Sequence, residues 1–385
     1  MNHAVMLVAI CAATVGTSYG MHSPIVPVFA REYLGADYSQ VGLIGMVNYL
    51  PYMFAPFFVG ILLDRLNKSY VLLSGILLNV FSIFILSTVQ SVLEITFYRA
   101  LTGVAHALFW PSCEVLISTN SVPERRVKNI SVFIAAWILG FMIGPLIGKV
   151  VLNVFDYSIL FQLAAAAMAA GITPSVLLRR YGWPTVQKGL EVRASSLELT
   201  REMTTTHPIL GTVILYYAIT FGAVLAVYPA YMSDASLTNE DIEMLFFVFG
   251  ISRFTTLLFI PRISGYGELA LALAVSTMAV GMLISFLSTS IVSFGIAITL
   301  FGLATSIFYT VAFGLVTRNT PSDYLGSKLG LYNTLFGVGW TAGPIAAGFA
   351  SDAFGLGSPY LAFFIAGSMF AGAIAIFRKS SNNHF

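Results

Sequence analysis

Residues 140–148 read GFMIGPLIG, and residues 339–348 read GWTAGPIAAG. The Gly-x-x-x-Gly-Pro core of the first stretch returns in the second at an offset of 199 residues, in a chain of 385. The same offset holds upstream without a gap, where it pairs Gly103 with Gly302, Phe109 with Phe308, and Asn120 with Asn319. Self-similarity at half the chain length predicts two halves with the same fold.

The composition is typical of a membrane protein. Hydrophobic residues make up 57% of the chain, charged residues only 9%, and the mean hydropathy is +0.86, whereas soluble domains carry roughly 25% charged residues. We therefore expect an all-α integral membrane protein in contact with the bilayer. The net charge of +2 gives no reason to expect a nucleic-acid partner.

The sequence carries no catalytic signature. The sequence contains no nucleotide-binding loop, no metal-ligand spacing and no stretch long enough for a soluble catalytic domain. We expect no cofactor, no metal and no enzymatic activity.

Hydropathy divides the chain into twelve spans. They lie near residues 4–30, 41–63, 70–90, 92–118, 130–154, 157–178, 209–232, 242–262, 268–288, 291–317, 328–351 and 358–377. The first is read as a helix, not a cleaved signal, because no Lys or Arg precedes it and it runs to about Ala30. The prediction is two pseudo-symmetric six-helix bundles, residues 1–178 and 209–385, joined by a cytoplasmic linker at 179–208. Ser195 and Glu198 in the linker have capping-box spacing, which predicts a short helix there.

The basic residues orient these spans. Of the 19 Lys and Arg residues, 15 fall on the side of the two termini, two (Arg31 and Lys149) on the other, and Arg99 and Arg253 within spans. Cytoplasmic loops carry the excess of Lys and Arg. We expect a multi-pass protein of the cell membrane with both termini in the cytoplasm.

The loop between the second and third spans reads GILLDRLNK over residues 60–68. Glycine permits close approach of a neighbouring helix, and charges at a helix end can pair across a closing interface. Four residues of this loop are therefore candidates for conformational gating: Gly60, Asp64, Arg65 and Lys68.

Three motifs together resemble the major facilitator superfamily. They are the 60–68 loop, with Asn67 where the superfamily usually has glycine; Arg99 with Gly103; and Gly140, Gly144, Pro145 and Gly148, with Lys149 in place of a last glycine. The resemblance implies a twelve-helix monomer that works by alternating access. It also implies that helix 5 packs on helix 8 near the outer face and limits leakage there, although small residues equally serve plain packing.

Ionisable residues inside spans are functional candidates by default. Arg99 has Ile298 as its counterpart in the repeat, so the fold itself does not require an arginine there. On one face of helix 4, Gly103, His106 and Glu114 each lie within about 60° of Arg99. This face is expected to line a substrate cavity. Alternatively, Arg99 extends outward to the interface and His106 is an interhelical structural histidine.

A proton carrier must be a group that titrates near neutrality. His22 and Glu114 are the candidates. An alternative for Glu114 is pairing with Arg125 and Arg126.

Further cavity candidates are polar or aromatic residues within spans. Arg253 must pair or face water in helix 8, and its role is either substrate binding or structure. The others are Tyr19, Asn48, Tyr52 and Asn333.

Two functions within one class follow, and a third from another class. The first is a secondary active transporter of small organic molecules, of the proton-coupled multidrug efflux antiporter type. The alternative is uptake or exchange of an organic anion or sugar, because the intramembrane charges are mostly basic. The remote alternative is a non-transporting membrane receptor or scaffold. Substrate, direction and coupling ion are left open by the sequence.

Overall fold

The computed structural model describes residues 3–182, 208–263, 267–317 and 322–382, and every regular element in them is helical. In the first half the helices are His3–His22 with Ile25–Glu32 (helix 1), Tyr38–Tyr49 with Pro51–Arg65 (helix 2), Lys68–Leu86 (helix 3), Val92–Thr119 (helix 4), Pro123–Leu152 (helix 5), and Tyr157–Ala169 with Ile172–Leu177 (helix 6). In the second half they are Pro208–Ala226 with Tyr228–Asp234 (helix 7), Asn239–Ile263 (helix 8), Glu268–Leu287 (helix 9), Ile291–Thr317 (helix 10), Ser322–Phe354 (helix 11) and Ser358–Asn382 (helix 12).

Length and hydropathy agree with membrane crossing. Among the described residues, eight helices are long and apolar enough to span, and the two parts of helix 7, bent by 47°, make a ninth. Helix 2 is divided at Pro51 into pieces of 12 and 15 residues, because proline has no N–H for the helical ladder. The expected helix around Ser195 lies outside the described residues, as does most of the predicted linker.

Side-chain caps fix where several helices begin. Asp37 and Gln40 form a reciprocal capping box at the start of helix 2, and Thr238 and Asp241 bond each other's backbone N–H in the same way at helix 8. Asn67 caps helix 3 by accepting from the Ser69 N–H. Its φ is −62°, so the backbone at this position does not require the glycine that the superfamily usually has there.

The repeated glycine stretches hold each half together. A Cβ on Gly144 would lie 2.7 Å from the Gly20 backbone on helix 1, and one on Gly140 would lie 2.8 Å from the Thr17 nitrogen. In the second half, a Cβ on Gly339 would lie 2.9 Å from the Ile219 nitrogen on helix 7. Since real Cβ atoms do not approach so closely, only glycine lets helices 1 and 5, and helices 7 and 11, pack at this distance.

The same stretches reach across to the other half. Gly148 on helix 5 lies against Glu243 on helix 8, and Met142 lies against Gly250 further along the pair. Gly348 on helix 11 correspondingly lies against the Tyr38 backbone on helix 2. The expected packing of helix 5 on helix 8 is confirmed, and the repeat in the sequence is a repeat of contacts in space.

Candidate functional site

A polar cluster is buried where helices 1, 2 and 4 meet. Thr102 donates to Asn48 Oδ1 at 2.8 Å, and Asn48 Nδ2 donates to the Tyr19 hydroxyl at 3.2 Å. Helix 4 can approach because Gly103 faces the Asn48 backbone, with no room for a Cβ. The structure thus brings together Tyr19, Asn48 and the Arg99–Gly103 turn, three of the sequence candidates.

Arg99 lies within this cluster and is only 4% exposed. The alternative that it extends outward to the interface is therefore wrong. Its Nε and one terminal nitrogen have no hydrogen-bond partner among the described residues. A buried guanidinium with unused donors calls for an acceptor, which a bound solute or water would supply.

Two histidines flank Arg99. His22 Nδ1 lies 2.6 Å from the Ser18 carbonyl oxygen; since a carbonyl only accepts, Nδ1 carries the proton and Nε2 is the free acceptor. His22 is fully buried, and its Nε2 has no partner in the described part of the chain. His106 Nδ1 lies 3.4 Å from Asn79 Nδ2, and its ring lies 4.3 Å from that of Tyr19. His106 is therefore held between helices, while its ring remains part of the cluster.

The facing surface of the second half is aromatic. Tyr217 stacks on Phe308 with ring centroids 4.1 Å apart and on Phe221 at 5.7 Å. The Arg253 guanidinium lies 5.4 Å from the Phe249 ring and 5.9 Å from that of Phe221. Arg253 is half-buried and its partners are π faces.

Trp340 joins the polar and aromatic surfaces. Its ring on helix 11 lies 5.8 Å from both Tyr49 and Tyr52 of helix 2, and 6.1 Å from Phe221. Tyr52 also lies 6.2 Å from the His106 ring. Tyr52 and Trp340 therefore stand at the boundary between the two halves, with Arg99 on one side and Arg253 on the other.

Two candidates lie away from this cluster. Glu114 is half-buried and accepts a hydrogen bond from Trp110 Nε1 at 3.1 Å. Arg125 and Arg126 are exposed, and the ion pair found among the described residues does not involve Glu114. Asn333 is exposed, so the structure does not bring it into the buried cluster.

One end of the molecule, here called the Arg31 end, is bridged by polar contacts between the halves. Arg31 on helix 1 forms a 2.7 Å salt bridge with Asp234 on helix 7, and Tyr38 donates to the same carboxylate at 2.9 Å. Glu32 accepts from Ser233 on helix 7. Asn239 on helix 8 donates to Tyr157 on helix 6 at 2.9 Å.

Asp352 adds a cap between the halves. It lies just past the apolar part of helix 11 and accepts from the Tyr38 and Ser39 backbone N–H groups at 3.1 and 2.7 Å, and from the Ser39 hydroxyl at 2.7 Å. Partial burial alone would raise the pKa of Asp352, but these hydrogen bonds outweigh it and hold the pKa below its usual value. The N-terminus of helix 2 is thus capped by a carboxylate of the other half.

At the opposite end, the 60–68 loop has a different environment from the one expected. No described atom lies within 4 Å of the place of a Cβ on Gly60, so the expected close approach is absent in this conformation. Arg65 is exposed, and the Asp64 side chain lies outside the described residues. Lys68 is 5% exposed and its N–H donates to the Gly182 carbonyl at 2.8 Å.

Sequence reasoning missed Glu243 and the acidic residues of the Arg31 end. Glu243 sits one residue inside the predicted span 242–262, so its charge was visible as intramembrane. Asp234 and Asp352 look like ordinary loop residues. Their partners are about 200 and 314 positions away along the chain, and no local pattern indicates such contacts.

These features define a class. Two helical bundles packed through repeated glycine stretches, with a buried polar cluster at their meeting point, form a transporter of the two-bundle membrane type, not an enzyme. The chain belongs to the major facilitator superfamily, because residues 8–268 match the family described as Major Facilitator Superfamily. The twelve-helix fold expected from the sequence is the fold of this family.

Relatives and solved structures agree with this assignment. An uncharacterized MFS-type transporter of Methanocaldococcus jannaschii is 23% identical over 363 residues, which cover 92% of this chain and 93% of that protein. The quinolone resistance protein NorA of Staphylococcus aureus is 24% identical over 226 residues, 58% of each chain. The crystal structure of the nucleoside transporter NupG matches with a TM-score of 0.80 at 13% identity, over 98% of this chain and 100% of that one.

Proposed function

We propose that this protein is a monomeric, proton-coupled efflux transporter for small aromatic organic molecules that carry an anionic or strongly accepting group. The observation that carries the proposal is the Arg99 guanidinium, buried with unused donors beside Tyr19 and Asn48. A solute that offers acceptors there and a ring to Trp340 would satisfy both surfaces.

Alternating access accounts for the contacts at the two ends. The positive-inside rule makes the Arg31 end extracellular and both termini cytoplasmic. Contacts between the halves at that end then correspond to an inward-facing conformation of a cell-membrane protein. Gly60, with open space beside it here, would meet a neighbouring helix only when the cytoplasmic end closes.

Export and proton coupling are the finer parts of the proposal. The likeness to a quinolone resistance protein supports export of drug-like compounds. Glu114 and His22 are the candidate proton carriers: Glu114 is half-buried on the helix 4 face of Arg99, and His22 has a free Nε2 within the cluster. Gly140, Gly144, Pro145 and Gly148 would keep the extracellular end closed while substrate is loaded from inside.

A second candidate is uptake or exchange of an organic anion or sugar. It is favoured by the basic character of the cluster, since Arg99 and His106 both interact electrostatically with His22, and by a further cation, Arg253, among the aromatic rings of the second half. Arg253→Ala tests the anion class that both candidates share: an anion carrier should lose affinity, whereas a carrier of lipophilic cations should be little affected. The proton gradient that drives accumulation in vesicles separates the two candidates, because export by antiport needs an acidic lumen and uptake with protons needs an alkaline one.

Thermal unfolding of the purified protein tests the proposal. Tetraphenylphosphonium, salicylate and glucose serve as probes of a lipophilic cation, an aromatic acid and a sugar, each at two pH values. A ligand that binds only the folded state at 100 times its Kd stabilises by about 2.7 kcal/mol. We expect salicylate to raise the unfolding temperature, Arg99→Gln to abolish the rise, and Arg126→Gln, at an exposed position, to keep it. Stabilisation by glucose or the cation alone would contradict the proposed substrate class.

A further inference from the structure

Glu243 lies in the second turn of helix 8 and is fully buried. Neither carboxylate oxygen has a hydrogen-bond partner among the residues that the structure describes. Its carboxyl group lies against Gly148 on helix 5. A Cβ on Gly148 would collide with Glu243 Oε1 and lie 2.8 Å from the carboxyl carbon. An acidic side chain is therefore enclosed at the contact between the two halves.

The contact is tight along two turns. Met142 on helix 5 fills the space beside Gly250 on helix 8, within 2.9 Å of where a Cβ would be. Glu243 and Gly250 lie seven positions apart, on one face of helix 8. This face keeps its burial only while helices 5 and 8 stay together.

Other charges near the Arg31 end are engaged elsewhere or stand apart from Glu243. Arg31 pairs with Asp234, and Glu32 accepts from Tyr157. The titratable groups on the elements packed against this part of helix 8 are Lys149 on helix 5, Arg31 and Glu32 on helix 1, Tyr231 and Asp234 on helix 7, Tyr157 on helix 6, and Glu240 and Asp241 on helix 8 itself.

Burial without a partner determines the protonation state. Moving an ionised carboxylate from water into such a site costs several kcal/mol of free energy, whereas moving the neutral acid costs much less. In the conformation with helices 5 and 8 in contact, Glu243 therefore holds its proton. Once the helices separate, the carboxyl group meets water, where a glutamate ionises near pH 4.3.

We propose that Glu243 is a proton-operated switch for the seal between helices 5 and 8, so that the Arg31 end closes only when this side chain is protonated. The inference rests on the alternating access of the proposed function. Closing takes one proton from the solution at the Arg31 end, and opening returns it to the same side. The switch therefore sets the pH dependence of closing and by itself moves no net charge across the membrane.

Distance measurements across the Arg31 end test this directly. Nitroxide labels are attached at Val154→Cys and Phe354→Cys, one in each half, at positions 71% and 79% exposed; Cys11 and Cys113 are buried. Double electron–electron resonance in lipid nanodiscs then gives the closed-to-open ratio. With one proton taken up on closing, that ratio should rise up to about tenfold for each unit fall in pH.

Glu243→Gln, which stays neutral, should hold the end closed at every pH and remove this dependence. Glu240→Gln makes the same change one turn earlier, at a half-buried position, and should leave the dependence intact. A Glu243→Gln protein with the pH response of the wild type would overturn the switch, as would a wild-type ratio that does not vary with pH.

Gly148→Ala covers the case in which Glu243→Gln fails to fold. Its Cβ would occupy the space of the Glu243 carboxyl group, so the end should be more open at all pH values. A closed ratio equal to that of the wild type would contradict the proposed contact. Labels that never change distance in any variant or condition would refute alternating access itself, whereas movement independent of Glu243 would refute only the switch.

Discussion

Asp352→Ala should open the Arg31 end. The carboxylate of Asp352 belongs to helix 11, and the three groups that donate to it, the Tyr38 N–H and the N–H and hydroxyl of Ser39, belong to helix 2. These bonds join the two halves and must break when this end opens. Their loss therefore destabilises the closed conformation and leaves the open one unchanged.

The size of the effect follows from the capping geometry. Hydrogen bonds to charged groups contribute about 1.5–3 kcal/mol each, but Asp352 is exposed, and solvent screening reduces this. Loss of a helix N-cap costs about 0.5–2 kcal/mol. We therefore expect a loss of about 1–2 kcal/mol, which lowers the closed-to-open ratio about 5- to 30-fold.

The assay is the distance between labels at positions 154 and 354, compared with that in Asp156→Ala. Asp156 caps helix 6 by accepting from the Ile159 N–H, inside one half. Asp156→Ala should reduce thermal stability without changing the label distance. If Asp352→Ala and Asp156→Ala leave the closed-to-open ratio equally unchanged, the reasoning about a cap between the halves is refuted.

The pH dependence of this cap is distinct from that of Glu243. Because the pKa of Asp352 is lowered in the closed state, the cap stabilises that state fully above the ordinary aspartate value of about 3.9. The stabilisation is lost as the pH falls through the lowered value. Titration above pH 5 should therefore show no contribution from Asp352, and a response in that range that Asp352→Ala removes would contradict this assignment.

Three further variants test the packing, the cluster and the coupling. Gly144→Ala places a Cβ 2.7 Å from the helix 1 backbone and should lower the unfolding temperature in a thermal scan by several degrees. Gly60→Ala, with open space around it, should not lower it. An equal fall in unfolding temperature in the two variants would contradict the packing. Arg99→Gln should weaken binding of an aromatic acid at least tenfold by calorimetry, and unchanged affinity would exclude Arg99 from the site. Glu114→Gln cannot exchange a proton and should flatten the pH dependence of transport in vesicles; a profile like that of the wild type would remove Glu114 from coupling.

Much of the fold was predictable because it depends on local patterns. Apolar stretches of span length and the alternation of basic loops locate the helices, and the glycine spacing of 140–148 predicts close packing. The same reasoning placed Arg99 and Gly103 on one face of helix 4. In the structure, Gly103 packs against the helix 2 backbone and Arg99 is buried in the polar cluster of helices 1, 2 and 4.

The rest depends on contacts that sequence spacing does not encode. The Arg31–Asp234 pair and the Asp352 cap each join residues about 200 or more positions apart, so local periodicity carries no sign of them. Gly60 matches a motif but has no neighbour in this conformation, because a motif does not indicate which state of a moving protein is observed. Asn333 lies near the start of its predicted span, and its position on helix 11 leaves it exposed.

Flux in proteoliposomes tests the central claim, proton-coupled transport through the Arg99 cluster, most directly. Vesicles with an acidic lumen are given external salicylate, and its accumulation is followed in wild type, Arg99→Gln and Arg126→Gln, each with and without a protonophore to correct for passive entry. The account predicts protein-dependent accumulation driven by the outward proton gradient, abolished by the protonophore and by Arg99→Gln but retained in Arg126→Gln. Accumulation that instead requires an alkaline lumen, or that persists in Arg99→Gln, would contradict it.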